Sequence, residues 1–318
     1  MDPLSDVLRA VRLSGAYFFT VEAGHPWTAS AVAAAALAPR VLPEAEHLIS
    51  YHVLTSGSCW AGISGLDPVF LQAGDAIVFP HGDAHVLSSL QLDGIRPVSQ
   101  STLPERYATL HLGGAGAPTT FVCGFLGCEL RPYNPLIAAL PRLMHAQGIA
   151  GAGGWLAEFP RQVIAESQLG RAGSESMLTR MAELMFVEVV RRYLGALPPE
   201  RSGWLAGLRD PVVARALAEL HGRPSHPWNL PELAREVAAS RSVLVDRFAE
   251  LVGIPPMQYL TQWRLQLAAE QLLSGSAKVA AIGANVGYES EAAFSRAFKR
   301  ATGKAPAAWR RARLHLSA

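Results

Sequence analysis

Two histidines and one cysteine are of the residue types that bind metal ions or react with small molecules. His52, His85 and Cys123 each lie in a different short apolar segment that predicts a β-strand. Imidazole nitrogen and thiolate sulfur are common protein ligands of Zn²⁺ and other transition metals, and three such ligands leave one coordination position open. The three residues therefore predict a site for zinc or a related metal, with His81 as a candidate fourth ligand.

The same three residues also fit two other roles. Each histidine can form hydrogen bonds within a polar interior while Cys123 fills space as a small apolar side chain. Alternatively, Cys123 is a redox-active thiol if a protonated histidine beside it lowers its pKa. The residue types alone leave these three roles open.

The segment that contains these residues has the pattern of a β-rich domain. Between Leu48 and about Leu130, short β-branched and apolar runs are separated by Gly, Pro, Asp and Ser. This pattern predicts several short strands in a sandwich or barrel. Because strand residues alternate between two faces, Cys123 and Cys128 would face opposite sides if they shared one strand.

A glycine, a proline, a second glycine and a histidine follow one another with the spacing G-x5-P-x-G-x2-H. They are Gly74, Pro80, Gly82 and His85. This spacing resembles the second sequence motif of the cupin superfamily. The first cupin motif is incomplete, because residues 51–57 keep a strand and a glycine but lack the His-x-His pair and the glutamate that follows it. The resemblance implies a cupin-like β-barrel, and small barrels hold one ligand or a metal in their interior.

From Pro135 onward the apolar residues recur with helical spacing. One predicted helix, which Ser174 can cap, has an apolar stripe along one face. The stripe consists of Met177, Leu178, Met181, Leu184, Met185 and Val189. Such a stripe packs either into the core of its own domain or against a second copy of the chain, and the sequence leaves both open.

The carboxyl-terminal third is basic and helical. Residues 209–318 contain 15 Lys and Arg against 9 Asp and Glu, whereas the residues before them contain 13 against 17. A basic segment favours an anionic partner. Within it, residues 229–252 and residues 278–302 both have the layout of a helix-turn-helix motif.

This layout suits DNA for a steric reason. A helix about 10–12 Å in diameter fits the major groove, which is about 12 Å wide. The predicted helix from Tyr259 to Leu273 joins the two motifs and would hold them about one turn of DNA, roughly 34 Å, apart. One chain could then read two consecutive segments of the major groove.

Four motifs occur in order across residues 212–313. They are LVGIPPMQY from Leu251, WRLQLA from Trp263, IGANVGYESEAAFSRAFKR from Ile282 and GKAPAAWR from Gly303. Together they resemble the AraC/XylS family of bacterial transcription regulators. The resemblance implies base-reading positions in the first recognition helix at Ser242, Val245 and Asp246, with Arg241 and Arg247 near them. In the second recognition helix it implies base readers at Glu291, Ala292, Ser295 and Arg296, and phosphate contacts from Lys299, Arg300 and Lys304.

Two of these positions admit more than one interpretation. Asp246 stands where many relatives have Arg or Lys, so its carboxylate either accepts from a cytosine amino group or pairs with a neighbouring arginine and reads nothing. Arg296 contacts a base, contacts a phosphate, or forms an ion pair with Glu289 or Glu291. Phosphate contacts add affinity rather than sequence information.

The length and composition set the frame for these sites. The chain has 318 residues, of which 50% are hydrophobic and 17% charged, so it has apolar material for two domains. We predict an α+β protein with a cupin-like sensor domain at residues 1–134, a helical dimerisation region at 135–196, a linker at 197–211 and a double helix-turn-helix domain at 212–313. No apolar run reaches the roughly 18 residues of a membrane span, and three cysteines are too few for a disulfide framework. These features predict a cytoplasmic protein without a membrane span.

The expected function is that of a homodimeric transcription regulator rather than an enzyme. Its barrel would sense a small molecule, a metal or an oxidant, and its basic end would bind double-stranded promoter DNA. Two alternatives remain at this point: a metal-dependent cupin enzyme joined to a DNA-binding tail, and a regulator whose barrel is only a scaffold.

Overall fold

The structure is a computed structural model that describes residues 2–11, 13–92, 103–129, 132–148, 158–169, 171–198 and 203–314. Its contacts divide the chain into two compact units. The sheet unit comprises the described parts of Leu13–Cys128 and Leu140–Ala196. The helical unit comprises those of Met1–Arg12, Glu129–Ala139 and Leu197–Ala318.

Ten strands form the sheet unit. They are β1 (Ser14–Gly24), β2 (Thr28–Ala31), β3 (His47–Ser56), β4 (Ser58–Ile63), β5 (Val69–Gln72), β6 (Ala76–Phe79), β7 (His85–Ser88), β8 (Thr109–Gly113), β9 (Pro118–Cys128) and β10 (Met144–Ala146). One sheet has the order β10-β6-β3-β9-β1-β8 and the other has the order β2-β7-β4-β5. All neighbouring strands are antiparallel except β1 and β8, which are parallel.

The two sheets share one apolar core. Val21, Leu54 and Phe121 of the larger sheet pack with Ile63 and Leu71 of the smaller one. Within the described ranges no strand of one sheet pairs with a strand of the other. The predicted cupin-like fold is confirmed, with the refinement that its two sheets remain open layers rather than one hydrogen-bonded barrel.

Three helices belong to the sheet unit. They are α2 (Ala34–Val41), α4 (Phe159–Leu169) and α5 (Ser174–Ala196). Helix α5 divides the predicted apolar stripe between two faces. Leu178, Met185 and Val189 are buried, whereas Met177 and Leu184 are 54% and 53% exposed. One face of α5 therefore packs within its own unit, and the other presents apolar side chains to solvent.

Ten helices form the helical unit. They are α1 (Pro3–Ala10), α3 (Pro135–Ala139), α6 (Trp204–Gly207), α7 (Pro211–Gly222), α8 (Leu230–Glu236), α9 (Arg241–Val252), α10 (Pro256–Ser274), α11 (Val279–Asn285), α12 (Glu291–Thr302) and α13 (Pro306–Leu314). Among the described residues, no helix combines the length and apolar character that crossing a membrane requires.

The first helix of the chain packs with the last hundred residues. The buried amide of Gln266 on α10 donates to the carbonyl oxygen of Ala10 at 2.9 Å and accepts from the backbone N–H of Tyr133 at 3.0 Å. Asp6 on α1 is buried and faces His221, with 3.7 Å between Oδ2 and Nδ1. The compact units therefore divide the chain differently from the predicted ranges, because residues before 13 and around 134 pack with the helical unit.

Candidate DNA-binding surface and ligand pocket

Helices α8 and α9 form the first helix-turn-helix motif. The turn between them places Ala238 in the left-handed region, with φ at 54°. Ser240 then caps α9, since its hydroxyl oxygen accepts from the backbone N–H of Val243 at 3.2 Å. Leu244 and Phe248 are fully buried on the inner face of α9, so the opposite face is left for contact with a partner.

Helices α11 and α12 repeat this construction. Ser290 caps α12 by accepting from the N–H of Ala293 at 3.2 Å, and Phe294 and Phe298 are fully buried. The turn contains Gly287 with φ at 89°, where an added Cβ would lie 2.8 Å from the backbone of Ser225. Only glycine fits this close approach.

The two motifs match residue by residue from their capping serines onward. The same offset relates Ser240 to Ser290 and the left-handed residues Gly253 and Gly303, which end α9 and α12. The next helices, α10 and α13, begin at Pro256 and Pro306, again at that offset. The molecule therefore holds two copies of one recognition element.

Helix α10 is the joint between the copies. It spans 19 residues, or about 28 Å at a rise of about 1.5 Å per residue. Trp263, at its centre, is buried and stacks on His221 at 4.1 Å between ring centroids. This length is comparable with the roughly 34 Å of one turn of DNA.

The structure places most of the predicted DNA contacts on the surface. The exposed residues are Arg241, Ser242, Asp246, Arg247, Glu291, Ala292, Arg296, Lys299, Arg300 and Lys304. Val245 and Ser295 are half-buried at corresponding positions of the two recognition helices. Val243, 43% exposed on the first turn of α9, was missed by the sequence reasoning. Its position beside Ser242 was the available signal, and apolar side chains contact the methyl group of thymine.

Ion pairing separates the arginines of this surface. Arg247 pairs with Asp210, with 2.6 Å between Nη2 and Oδ2. Asp210 also caps α7 by accepting from the N–H groups of Val212 and Val213. Arg247 therefore joins α9 to the start of α7. This ion pair uses part of the hydrogen-bond donor capacity of the Arg247 guanidinium.

The other charged side chains of the recognition helices do not form the ion pairs considered above. Within the described part of the chain, Asp246 pairs with no arginine, and Arg296 forms no ion pair with Glu289 or Glu291. The carboxylate of Asp246 and the guanidinium of Arg296 are therefore available to a partner in the free protein.

A pocket lies in the sheet unit between strands of both sheets. Its cavity volume is about 70 Å³, and the pocket is partly open to solvent. The lining is mostly apolar, and it includes Phe19, Val21, Leu87, Leu110, Leu112, Phe121 and Phe125 together with His52, His85 and Cys123. The sequence reasoning missed the apolar members. Their spacing of two along β1, β8 and β9 was the signal, because alternate strand residues share a face.

Strand register brings the three predicted ligand residues together. His52 on β3 is the direct cross-strand partner of Cys123 on β9. His85 begins β7 in the other sheet, after a corner where Gly82 has φ at 67° and an added Cβ would lie 2.7 Å from the carbonyl oxygen of Leu48. The ring of Phe79 stacks on His85 at 4.0 Å. The glycine of the cupin-like motif thus lets the corner approach β3 closely enough for His85 to meet His52.

The three side chains form a line of hydrogen bonds. Cys123 Sγ lies 2.9 Å from His52 Nδ1, His52 Nε2 lies 2.7 Å from His85 Nε2, and His85 Nδ1 lies 2.8 Å from the carbonyl oxygen of Asp83. A carbonyl only accepts, so His85 carries its proton on Nδ1 and accepts at Nε2. His52 must then donate from Nε2 and accept at Nδ1, and the thiol of Cys123 donates to it.

Burial keeps all three groups neutral. Burial, aided by His85, lowers the pKa of His52 well below its usual value, and burial lowers the pKa of His85 to about 4. Burial also raises the pKa of the Cys123 thiol well above its usual range, with a smaller contribution from Cys59. Neutral imidazoles and a protonated thiol are the forms that the hydrogen-bond directions require.

This arrangement does not fit the predicted three-ligand metal site. Cys123 and His85 lie against opposite nitrogens of the same His52 ring. A metal ion bound to one nitrogen of that ring would therefore lie beside only one of these two residues. His81, the candidate fourth ligand, is exposed, and its Nε2 bonds to the carbonyl oxygen of Leu140 at 2.9 Å. No group of three His, Cys, Asp or Glu residues suited to a metal occurs in the described ranges. The three residues come together as predicted, but they form a line of hydrogen bonds rather than a set of ligands that converge on one point.

Comparison with known proteins gives matches over both regions. A cupin profile matches residues 2–195, and a helix-turn-helix domain profile matches residues 233–312. A putative AraC-like transcription regulator from Streptomyces antibioticus is 32% identical over 98% of this chain and 99% of its own length. Another from Streptomyces lividans is 33% identical over 98% of each. The solved DNA-binding domain of AdpA in complex with a target DNA covers 32% of this chain and 92% of that one, with 29% identity and a TM-score of 0.31.

The family follows from the extent of these matches. The cupin profile spans more than half of the chain, and both Streptomyces relatives match nearly all of it. The chain belongs to the AraC family of DNA-binding transcription regulators, with a cupin domain followed by an AraC-type helix-turn-helix domain.

Proposed function

We propose that this regulator responds to a small, uncharged and mostly apolar molecule that binds in the pocket of the sheet unit. The observation that supports this is the pocket lining, which among the described residues contains no Asp, Glu, Lys or Arg. The polar atoms of His52, His85 and Cys123 are already bonded to one another or to backbone. A charged ligand would lose its hydration without gaining a partner there.

The ligand would act through a difference in affinity. A molecule shifts a conformational equilibrium only as far as it binds one state more tightly than the other. We propose that the occupied and empty sheet units favour different arrangements of the DNA-binding helices in the cytoplasm, where promoter DNA is present.

The DNA contacts of this proposal use the two recognition helices. Helices α9 and α12 would enter consecutive major-groove segments, with Arg296 contacting a base and Lys299, Arg300 and Lys304 contacting phosphates. The exposure of these four cations supports this assignment.

A dimer is the proposed working form. Met177 and Leu184 are the exposed large apolar residues of α5, and Met181, half-buried, lies between them at helical spacing. A second copy of the same helix would bury this stripe, since a twofold axis places like surfaces together.

A metal-dependent cupin enzyme is the less favoured function. Such an enzyme needs ligands that converge on one ion, whereas His85 and Cys123 lie on opposite sides of the His52 ring. We therefore propose a regulator without a metal cofactor and without turnover of its ligand.

Filling the pocket tests the proposal. The neutral dye N-phenyl-1-naphthylamine serves as the apolar probe, and its fluorescence reports binding to the full chain. Ala29→Trp places an indole in the pocket, because Ala29 lines it. Ala36→Trp is the matched control, since Ala36 is exposed on α2 and is not part of the lining.

We expect Ala29→Trp to weaken dye binding at least about tenfold through lost apolar contact area, and Ala36→Trp to leave it unchanged. The second measurement is affinity for a duplex selected from random sequence by the full chain. Equal dye binding in the two variants would contradict the proposal. So would an affinity of the protein for the selected duplex that stays the same whichever apolar molecule occupies the pocket.

A further inference from the structure

Cys123 lines the pocket with a base beside it. We propose that Cys123 is a covalent modification site for neutral α,β-unsaturated carbonyl compounds such as enones, enals and quinones. This inference rests on the proposed function, because it names the class of molecule that the pocket would accept and retain. The three cysteines form no disulfide, so the thiol is present for reaction.

The geometry is that of an activated nucleophile. Nucleophilic side chains react when a base lies within hydrogen-bond reach and a third group orients that base. Cys123 Sγ is 2.9 Å from His52 Nδ1, and His52 is oriented by His85 at 2.7 Å. His85 is itself fixed by the carbonyl oxygen of Asp83 at 2.8 Å. The directions of these bonds make His52 Nδ1 the atom that takes the thiol proton.

The pocket distinguishes Cys123 from the cysteine that lies near it. Cys59 belongs to the same apolar core, and because burial raises the pKa of both thiols, acidity does not distinguish them. Cys59 does not line the pocket, and within the described ranges no hydrogen bond joins it to a histidine. Of these two cysteines, in the part of the chain that the structure describes, Cys123 is the one that both lines the pocket and lies within hydrogen-bond distance of a histidine.

Addition of the thiol to the double bond is compatible with a site in which burial disfavours charged groups. As the bond forms between Sγ and the β-carbon of the acceptor, the thiol proton moves to His52 Nδ1 and the electrons of the carbon–carbon double bond shift toward the carbonyl. His52 then returns the proton to the α-carbon or, for a quinone, to the oxygen. The product is a neutral thioether with no leaving group, and His52 ends neutral, so no ion remains in the apolar interior.

The lining favours such compounds over polar oxidants. Phe19, Leu110 and Phe121 offer contact to an apolar ring or chain. Hydrogen peroxide and hypochlorite need hydrogen-bond donors or cations to hold them. The histidine donors are already engaged, and among the described residues the lining has no cationic side chain.

Labelling of the full chain with N-phenylmaleimide tests the inference. This probe is a neutral, apolar unsaturated carbonyl, and 3-maleimidopropionate is its charged counterpart. Intact mass gives the number of adducts, and peptide mapping gives the cysteine. We expect one fast adduct on Cys123, at least about tenfold faster than on Cys59 or Cys128, because general bases accelerate such steps by about a hundredfold or more.

The preference for the neutral probe is measured relative to free cysteine. Relative to the ratio of the two rates with free cysteine, we expect N-phenylmaleimide to be favoured at Cys123 by about tenfold or more, since a carboxylate must be desolvated to enter. The rate should also be nearly flat from about pH 6 to about pH 8, because the proton stays within the Cys123–His52 pair. A thiol that reacts only as free thiolate gains about tenfold in rate per pH unit below its pKa.

Two variants test the role of His52. His52→Asn keeps an acceptor near the sulfur but removes the base, and His85→Asn removes the group that orients it. Both should slow labelling of Cys123 by about tenfold or more, with Cys59→Ser as the control that leaves it unchanged. The pH profile of the unsubstituted chain provides the test if a variant fails to unfold cooperatively.

Several outcomes would overturn the inference. They are equal labelling of the three cysteines, a rate that rises with pH as for a free thiol, and oxygen addition by hydrogen peroxide without any maleimide adduct. The adduct is scored by mass and is independent of DNA binding. If N-phenyl-1-naphthylamine changes DNA affinity while Cys123 stays unlabelled, the covalent site is refuted and the proposed function stands. If Cys123 is labelled and DNA affinity never responds, the proposed function is refuted and the covalent site stands.

Discussion

Arg296 and Lys299 on the second recognition helix provide a sharp test of how the protein reads DNA. Both side chains are exposed on α12, and Arg296 is free of the ion pair with Glu289 or Glu291 that would otherwise bind it in the free protein. Replacing Arg296 with alanine therefore removes little from the folded state, since alanine also favours helix. We expect unfolding of Arg296→Ala to match that of the unsubstituted protein.

The loss on DNA follows from the type of contact. A bidentate contact from arginine to guanine is worth about 1–3 kcal/mol of discrimination, which corresponds to about 5-fold to 150-fold in affinity. Lys299→Ala should instead weaken binding to all sequences alike and reduce the magnitude of the salt slope by about 0.9, because one phosphate contact is lost. Arg296→Ala should leave most of that slope in place.

The assay is fluorescence anisotropy with a selected duplex and a scrambled duplex, over a range of salt concentrations. Arg296→Ala should reduce affinity for the selected duplex much more than for the scrambled one, and Lys299→Ala should reduce both. If Arg296→Ala lowers both equally and flattens the salt slope, Arg296 contacts phosphate and the base-reading assignment is refuted.

The remaining predictions concern the sheet unit. The pKa of His85 is lowered by burial to about 4, so His85 is neutral in the folded chain at neutral pH and its contribution to stability falls as the pH drops below about 6.5. At about 1.4 kcal/mol per pKa unit, the full loss in the free energy of unfolding is about 3 kcal/mol. Thermal unfolding from about pH 7 to about pH 4 should show a steeper loss of stability for the unsubstituted chain than for His85→Asn. Equal pH dependence of stability in the two proteins would contradict the assignment. Met181→Lys combined with Leu184→Lys should convert dimers to monomers in analytical ultracentrifugation, because two cations would face a second copy across the stripe. Arg180→Ala, on an exposed position of the same helix outside the apolar stripe, is the control, and dimers that survive the double substitution would show that this stripe is not the seam.

The sequence predicted the local elements of the DNA-binding surface because their signals are local. The helix-turn-helix layouts at residues 229–252 and 278–302 follow from such short-range patterns, and the structure shows Ser240 and Ser290 capping the recognition helices and Gly287 in a left-handed turn. The pair between Arg247 and Asp210 was not predictable, because the two residues meet only when α9 packs on α7. The packing of α1 was unpredictable for the same reason. It depends on a hydrogen bond from the side-chain amide of Gln266, which is buried only in the folded unit.

The ligand pocket also contains an arrangement of atoms that the sequence did not predict. The meeting of His52, His85 and Cys123 was predicted from their strands, but a convergent metal site was expected and a hydrogen-bonded line was found. The difference depends on which ring nitrogen faces which neighbour. That choice is set by the register of β3 with β9 and by the corner at Gly82, neither of which a residue spacing specifies.

The two recognition helices also predict the symmetry of the target. At corresponding positions α9 has Arg241 where α12 has Glu291, and it has Asp246 where α12 has Arg296. Arginine selects guanine, whereas a carboxylate accepts from the amino group of cytosine. One chain should therefore bind two different half-sequences about one turn apart, in a fixed order.

Exchanging side chains between the helices tests this order. Asp246→Arg gives both helices an arginine at the same position, and it should shift the first selected half-sequence toward guanine without changing the second. Ala249→Lys, on the half-buried side of α9, adds one of the two units of positive charge that Asp246→Arg adds, away from the reading face, and should alter affinity alone. Selected duplexes that are identical for the unsubstituted chain and Asp246→Arg would show that this position reads no base.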